Sequence, residues 1–193
     1  MKKSPVSPAK PARKALAFEL RVIVDCPTAK PHSRKLAAHL RAAHALLKPA
    51  LRELSLVIVD AHTMRKLHKQ FMQDGSVTDV LTFPLDSDAT GAVLSGEVIV
   101  CFDVAKSQAA ARGHDVASEL LLYALHGTLH LCGLDDRTQR DFAAMHAMED
   151  QILSQLGAGP IFDPARIAIK FPPPPRSLKR SRQRHTANLP GAG

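Results

Sequence analysis

Residues 54–73 read LSLVIVDAHTMRKLHKQFMQ, a short apolar, β-branched run followed at once by an aspartate and a polar segment. Leu54 to Val59 is short, continuous and β-branched, as a strand buried on both faces would be. Asp60 is placed to cap the helix that follows, roughly Ala61 to Gln73. Upstream, FELRVIVDC puts Phe18, Leu20, Val22, Val24 and Cys26 on one side, the period of two of another strand, ended by Pro27 and Pro31. Ser33 then stands as an N-cap for RKLAAHLRAAHALLK, where Leu36, Leu40, Ala43 and Leu47 recur at helical spacing before Pro49.

Downstream, the loop DGSVTD leads into VLTFPL, a third strand, and the DSDATGAVLSG segment leads into GEVIVCF, a fourth. Asp103 can cap the short helix VAKSQAAARG, closed by Gly113. A long helix runs from about Val116 to Cys132 with Gly133 past its end, and a last one from Thr138 to about Leu156. This order predicts one small α+β (α/β-like) domain over 17–156, with about four strands and five helices.

The chain has 193 residues and a formal charge of +8, but the charge is unevenly placed. Lys2, Lys3, Lys10, Arg13 and Lys14 fall in a proline-rich arm at 1–16, and Arg176, Lys179, Arg180, Arg182 and Arg184 fall after Phe171 in a proline-rich tail at 157–193, with no acid beside either set of five. These ten cations exceed the net charge by two, so the rest of the chain carries about −2. Both arms are expected to be disordered, able to attract a polyanion in a salt-dependent, sequence-blind way. No apolar stretch reaches the ~18 residues of a membrane span, and the basic start leads into proline rather than a signal-like apolar segment. A cytoplasmic protein is expected. Cys26, Cys101 and Cys132 are odd in number and show no CxxC spacing, so they read as reduced, small core residues.

The long helix carries the chemistry. In ALHGTLHLCGLDDRT, Ala124 to Thr138, His126 and His130 stand four apart and project from one helical face, where they can converge on one cation. A turn after Gly133 can bring a third ligand back: Asp135 and Asp136 are in reach, and His146 could approach from the next helix. Gly127 occupies the position at which a zinc protease of the HExxH type keeps its general base, so peptide hydrolysis by that route is disfavoured. A glycine inside a helix costs about 1 kcal/mol relative to alanine, which implies that something needs the space beside His126.

With these segments in view the chain resembles the YbeY endoribonucleases, also called rRNA maturation factors. HGTLHLCGLDD, His126 to Asp136, matches their HGxLHLxGxDH pattern except at the last position, where aspartate stands for histidine. TDVLTFPL, Thr78 to Leu85, is similar to their TDVLSFP segment, and SGEVIVCFDVAKSQA to their GDIVIS region with the following helix. The resemblance covers most of 17–155 and neither arm. It implies a mixed four-stranded sheet with helices, one Zn2+ per chain, and cleavage of single-stranded RNA in ribosomal RNA maturation, with ribosomal RNA and the small ribosomal subunit as partners. His126 and His130 fall on the first two ligand positions and Asp136 on the third, where carboxylate oxygen is a competent zinc ligand. A second departure is Met72, six residues before Thr78, where the family has an arginine suited to a phosphate.

The working expectation is metal-assisted RNA hydrolysis, the zinc either activating a water or polarising a phosphate oxygen. Glu119 and Asp79 are candidates for supporting acid–base or orienting roles, and Lys69 and Arg137 for the phosphate contact that Met72 cannot make. Two rival classes are a ribosome-associated binding factor with a structural zinc, and a different metal hydrolase acting on peptides or small phosphoesters.

Overall fold

The computed structural model describes residues 17–47, 49–159 and 161. The arm expected at 1–16 and nearly all of the tail expected at 157–193 lie outside these residues.

Four strands, β1 (Glu19–Val24), β2 (Glu53–Val59), β3 (Val80–Ser87) and β4 (Val93–Cys101), form one sheet in the order β1-β2-β4-β3. β1, β2 and β4 run parallel, and β3 pairs antiparallel with β4 at the edge. Five helices complete the fold: α1 (Lys30–Leu47), α2 (Ala61–Met72), α3 (Phe102–Arg112), α4 (Val116–Leu131) and α5 (Gln139–Gln155). The expected mixed four-stranded sheet with five helices is the observed architecture.

The apolar run 54–59 is buried on one face and partly buried on the other, its alternate side chains entering two different clusters. Leu54, Leu56 and Ile58 join Val98 and Val100 of β4 on the side covered by α1 and α4. Val59, Ile99, Cys101 and Leu81 point the other way, against Met64 and Leu67 of α2. The period of two along each strand therefore sorts the sheet into a larger and a smaller core. Helix α4 is apolar almost all round, as a helix enclosed by neighbours must be. It packs on β3, β4, α1, α3 and α5, with Leu120, Leu121, Leu125 and Leu129 essentially inaccessible.

Several local expectations are corrected. Ser33 does not cap α1: a 3-10 turn at Pro27–Ala29 starts the helix early, and the Ser33 hydroxyl donates to Lys30 O at 2.8 Å within it. Pro31 sits in the first turn, where a missing N–H costs nothing. Asp103 does not cap α3; its Oδ2 accepts the Ala61 N–H at 2.8 Å, at the head of α2, beside Asp60 Oδ1, which accepts from Thr63 N–H at 2.7 Å. The DSDATGAVLSG segment supplies the ends of β3 and β4 and the turn between them, tied by Asp88 Oδ1, which accepts from the N–H groups of Thr90 and Ala92. All three cysteines are free, but Cys132 at the end of α4 is only partly buried. Among the described residues no helix is long and apolar enough to cross a membrane.

Candidate metal centre

Helix α4 begins at Asp115, whose Oδ1 accepts the Ser118 N–H at 2.8 Å, and runs beneath the β3–β4 edge of the sheet. A Cβ on Gly127 would lie 2.7 Å from Val98 Cγ1 and 2.8 Å from Thr82 Oγ1. The space beside His126 is thus needed by the sheet itself: glycine lets α4 approach closely enough for the histidine to open beside β3. At the other end Gly133 takes φ of 90°, with its N–H on His130 O at 3.0 Å and the Leu134 N–H on Leu129 O at 3.1 Å. This paired closure turns the chain back over the helix end. It aims Leu134 O at His130 and brings Asp135 and Asp136 beside the histidines.

The hydrogen bonds of the two imidazoles fix where their lone pairs point. His130 Nδ1 lies 3.1 Å from Leu134 O, and a carbonyl can only accept, so this nitrogen carries a proton. His126 Nδ1 lies 2.6 Å from Glu149 Oε1 and donates to that carboxylate. When both rings are neutral their Nε2 atoms are left as acceptors, and they face each other at 3.2 Å. Two neutral rings held this way would oppose two lone pairs, an arrangement that calls for a cation between them. Asp136 Oδ1 stands 4.0 Å from His130 Nε2 and adds negative charge to the same point.

Proton affinities follow this geometry. Burial pushes His126 toward the neutral form, but the hydrogen bond and charge of Glu149 outweigh it and hold its pKa above the ordinary value. Burial and the neighbouring His126 charge lower that of His130. Glu149, pushed up by burial, is brought below the usual carboxylate range by its bonds from His126 and His146.

Among the described residues two sets of three side chains bring possible ligand atoms within 4.8 Å of one another: His126, His130 and Asp136, and His126, His146 and Glu149. Their spacing separates them. Two ligands at about 2.0–2.1 Å from a tetrahedral zinc stand roughly 3.3 Å apart. The 3.2 Å between the Nε2 atoms fits that span, and Asp136 would have to close by roughly 0.7 Å. The 2.6 Å from His126 to Glu149 is too short for an intervening ion and is the length of a charge-assisted hydrogen bond. The first set suits a cation; the second is joined by protons.

The histidines open onto a cleft of about 530 Å³ between β3, the end of α2 and the 135–137 loop. Of the candidates read from sequence, Asp79, Asp136 and Arg137 line it with the two histidines, and Met72 forms part of its wall. Asp79 Oδ1 accepts from the Val80 N–H at 2.9 Å and from the Thr78 hydroxyl at 3.2 Å. Asp135 is occupied otherwise than as a ligand, its Oδ1 on the Asp136 N–H and its Oδ2 3.0 Å from Arg137 Nε. Lys69 is exposed on α2 and does not line the cleft. Glu119 is also elsewhere: fully buried, its Oε1 bound by Arg112 Nη1 at 2.7 Å and its Oε2 3.0 Å from His114 Nε2. It shares a helical face with His126, but two turns of rise, about 10 Å, separate them.

Sequence reasoning missed Glu149. Its signal was present: Phe142, Met145, Ile152 and Leu153 mark the buried face of α5 at helical spacing, and His146 and Glu149 fall on that face.

Comparison with known proteins completes the picture. The family model described as Endoribonuclease YbeY matches residues 26–157. This chain belongs to the YbeY family. It is 39% identical over 109 residues to the endoribonuclease YbeY of Renibacterium salmoninarum, covering 53% of this chain and 69% of the relative. To that of Elusimicrobium minutum it is 36% identical over 106 residues, 54% and 74% of the two chains. The solution structure of TM1509 from Thermotoga maritima is similar in fold, with a TM-score of 0.51 and 23% identity over 72% of this chain and 92% of that one. The family resemblance read from HGTLHLCGLDD and TDVLTFPL is borne out.

Proposed function

We propose that this YbeY family member is a zinc-dependent, single-strand-specific endoribonuclease acting in ribosomal RNA maturation at the small ribosomal subunit, in the cytoplasm. The endoribonuclease role is supported by the family match and by the names of its relatives. The metal dependence is supported by one observation above all, the opposed Nε2 atoms of His126 and His130 at 3.2 Å with Asp136 beside them. These three residues would hold the zinc. When bound, such an ion supplies Lewis acidity, either acidifying a water or polarising a phosphate oxygen.

The protein's own side chains account for the rest. Asp136 in place of an imidazole lowers the charge of the centre by one unit, so anionic substrate is drawn in less strongly than by three histidines. Arg137 stands at the cleft rim with its side chain 86% exposed and its Nε 3.0 Å from Asp135 Oδ2, a placement from which its guanidinium can meet a phosphate. Met72 offers the cleft apolar surface, able to meet a base or sugar but not a charge. Asp79, oriented by Thr78 and the Val80 N–H, is the cleft carboxylate placed to accept a proton or orient a water.

The reading is tested with a single-stranded ribosomal RNA fragment, using zinc-loaded, chelator-treated and zinc-restored protein alongside His126→Ala. Cleavage should vanish on chelation, return with zinc, and be absent from the variant. Zinc bound by the wild type without metal-dependent cleavage would instead show a structural ion in a binding factor.

A further inference from the structure

We propose that Glu149 is the positioning residue of the metal centre, holding His126 in the tautomer that offers Nε2 to the cation, and that His146 anchors Glu149 for this task. The inference rests on the metal-centre reading above.

Glu149 sits on α5 with 0% of its surface accessible, an expensive place for a carboxylate unless every oxygen is bound. Its Oε1 accepts from His126 Nδ1 at 2.6 Å and its Oε2 from His146 Nδ1. One carboxylate thus spans two helices and joins two imidazoles. His146 is itself buried, edge-on to Phe142 at 4.2 Å between ring centres and nearly parallel to His126 at 5.8 Å. It cannot swing away without disturbing both contacts, so it fixes the Glu149 rotamer from behind.

The consequence for His126 is specific. A neutral imidazole carries one proton, on Nδ1 or on Nε2, and only the Nδ1–H form offers Nε2 to a cation. A carboxylate at Nδ1 selects that form, fixes the ring plane and raises the basicity of the far nitrogen. His130 obtains its tautomer from the Leu134 carbonyl, a neutral acceptor. The two ligands are therefore supported unequally, and the anionic support lies behind His126. Glutamine at 149 keeps the volume but presents one acceptor and one amide donor to two N–H groups. One imidazole must then lose its bond or shift its proton.

The test measures zinc affinity by competition with a chromophoric chelator, on the full chain as wild type, Glu149→Gln and His146→Leu. Glu149→Gln should bind zinc about 10- to 100-fold more weakly, and His146→Leu should lose a smaller factor. Equal affinity of Glu149→Gln and wild type, with one zinc per wild-type chain, overturns the positioning role while leaving the metal centre intact. A wild type that binds no zinc overturns the metal centre, and the positioning role with it. A merely structural Glu149 would lower the melting temperature of the metal-free protein without changing zinc affinity. Should the variant not fold, nitrogen-15 spectra of the histidine-labelled, zinc-loaded wild type decide the matter. His126 must show a proton on Nδ1 in a hydrogen bond to a carboxylate, and a proton on Nε2 would overturn the proposal.

Discussion

His126 and His130 illustrate how much a single pair of residues can state through spacing alone. Four positions apart, they must share one face of one helix, and the glycine at the helix end implies a chain reversal that can return a carboxylate. Both inferences are local, and the fold brings the two imidazoles and Asp136 side by side. What spacing could not supply was the partners Arg112 and His114, between which Glu119 lies buried two turns away from His126. Nor could it supply Glu149, which arrives from 23 residues away on another helix. At this scale Arg137 carries a clear expectation. As the proposed rim contact to phosphate it would contribute to substrate and transition state alike, so Arg137→Ala should raise KM several-fold with kcat nearly unchanged, as steady-state cleavage kinetics would show. An equal fall in kcat and kcat/KM would place it at the reacting phosphate instead.

Among the elements, α4 is the one on which the site depends, and Gly127 sets its height against the sheet. The cost of glycine in a helix was legible in the sequence, but the beneficiary was not, because Val98 and Thr82 belong to strands far away in the chain. Alanine at 127 would gain about 1 kcal/mol of helix propensity. Its methyl, 2.7 Å from a branched valine carbon that cannot rotate clear, would cost about 1–3 kcal/mol in overpacking. Gly127→Ala should therefore lower the melting temperature, and Val98→Ala in that background should recover part of the loss. A rise in melting temperature would show that α4 can lift from the sheet freely. The aspartates tell a parallel story. Asp60 precedes its helix and was readable as its cap, whereas Asp103 serves the same helix from 42 residues on. Propensity and capping rules see only the first kind.

Across the molecule, the sequence order of strands and helices sufficed for the fold class, since buried runs, alternating runs and helical spacings are distinct in period. The placement of β3 at the antiparallel edge, with β4 between it and β2, depends on pairings between distant segments and was not readable from period alone. The same scale governs charge. With ten cations and no acid before Ala15 and after Phe171, and a net of −2 between these two segments, long-range attraction for the proposed RNA substrate would belong to the arms rather than to the cleft. Replacing the ten arm cations with glutamine should weaken RNA binding at low salt and flatten the dependence of log Kd on log salt, while zinc content stays the same. An unchanged slope would move the electrostatic contact back to the folded domain.

The proposed chemistry depends on where the cation binds, and X-ray absorption at the zinc edge reads that most directly. The zinc-loaded protein should show two imidazole nitrogens at about 2.0–2.1 Å with oxygen in the remaining positions, and Asp136→Ala should bind the ion far more weakly. Three imidazoles around the zinc, which would bring in His146, or full retention of zinc by Asp136→Ala, would contradict the centre formed by His126, His130 and Asp136.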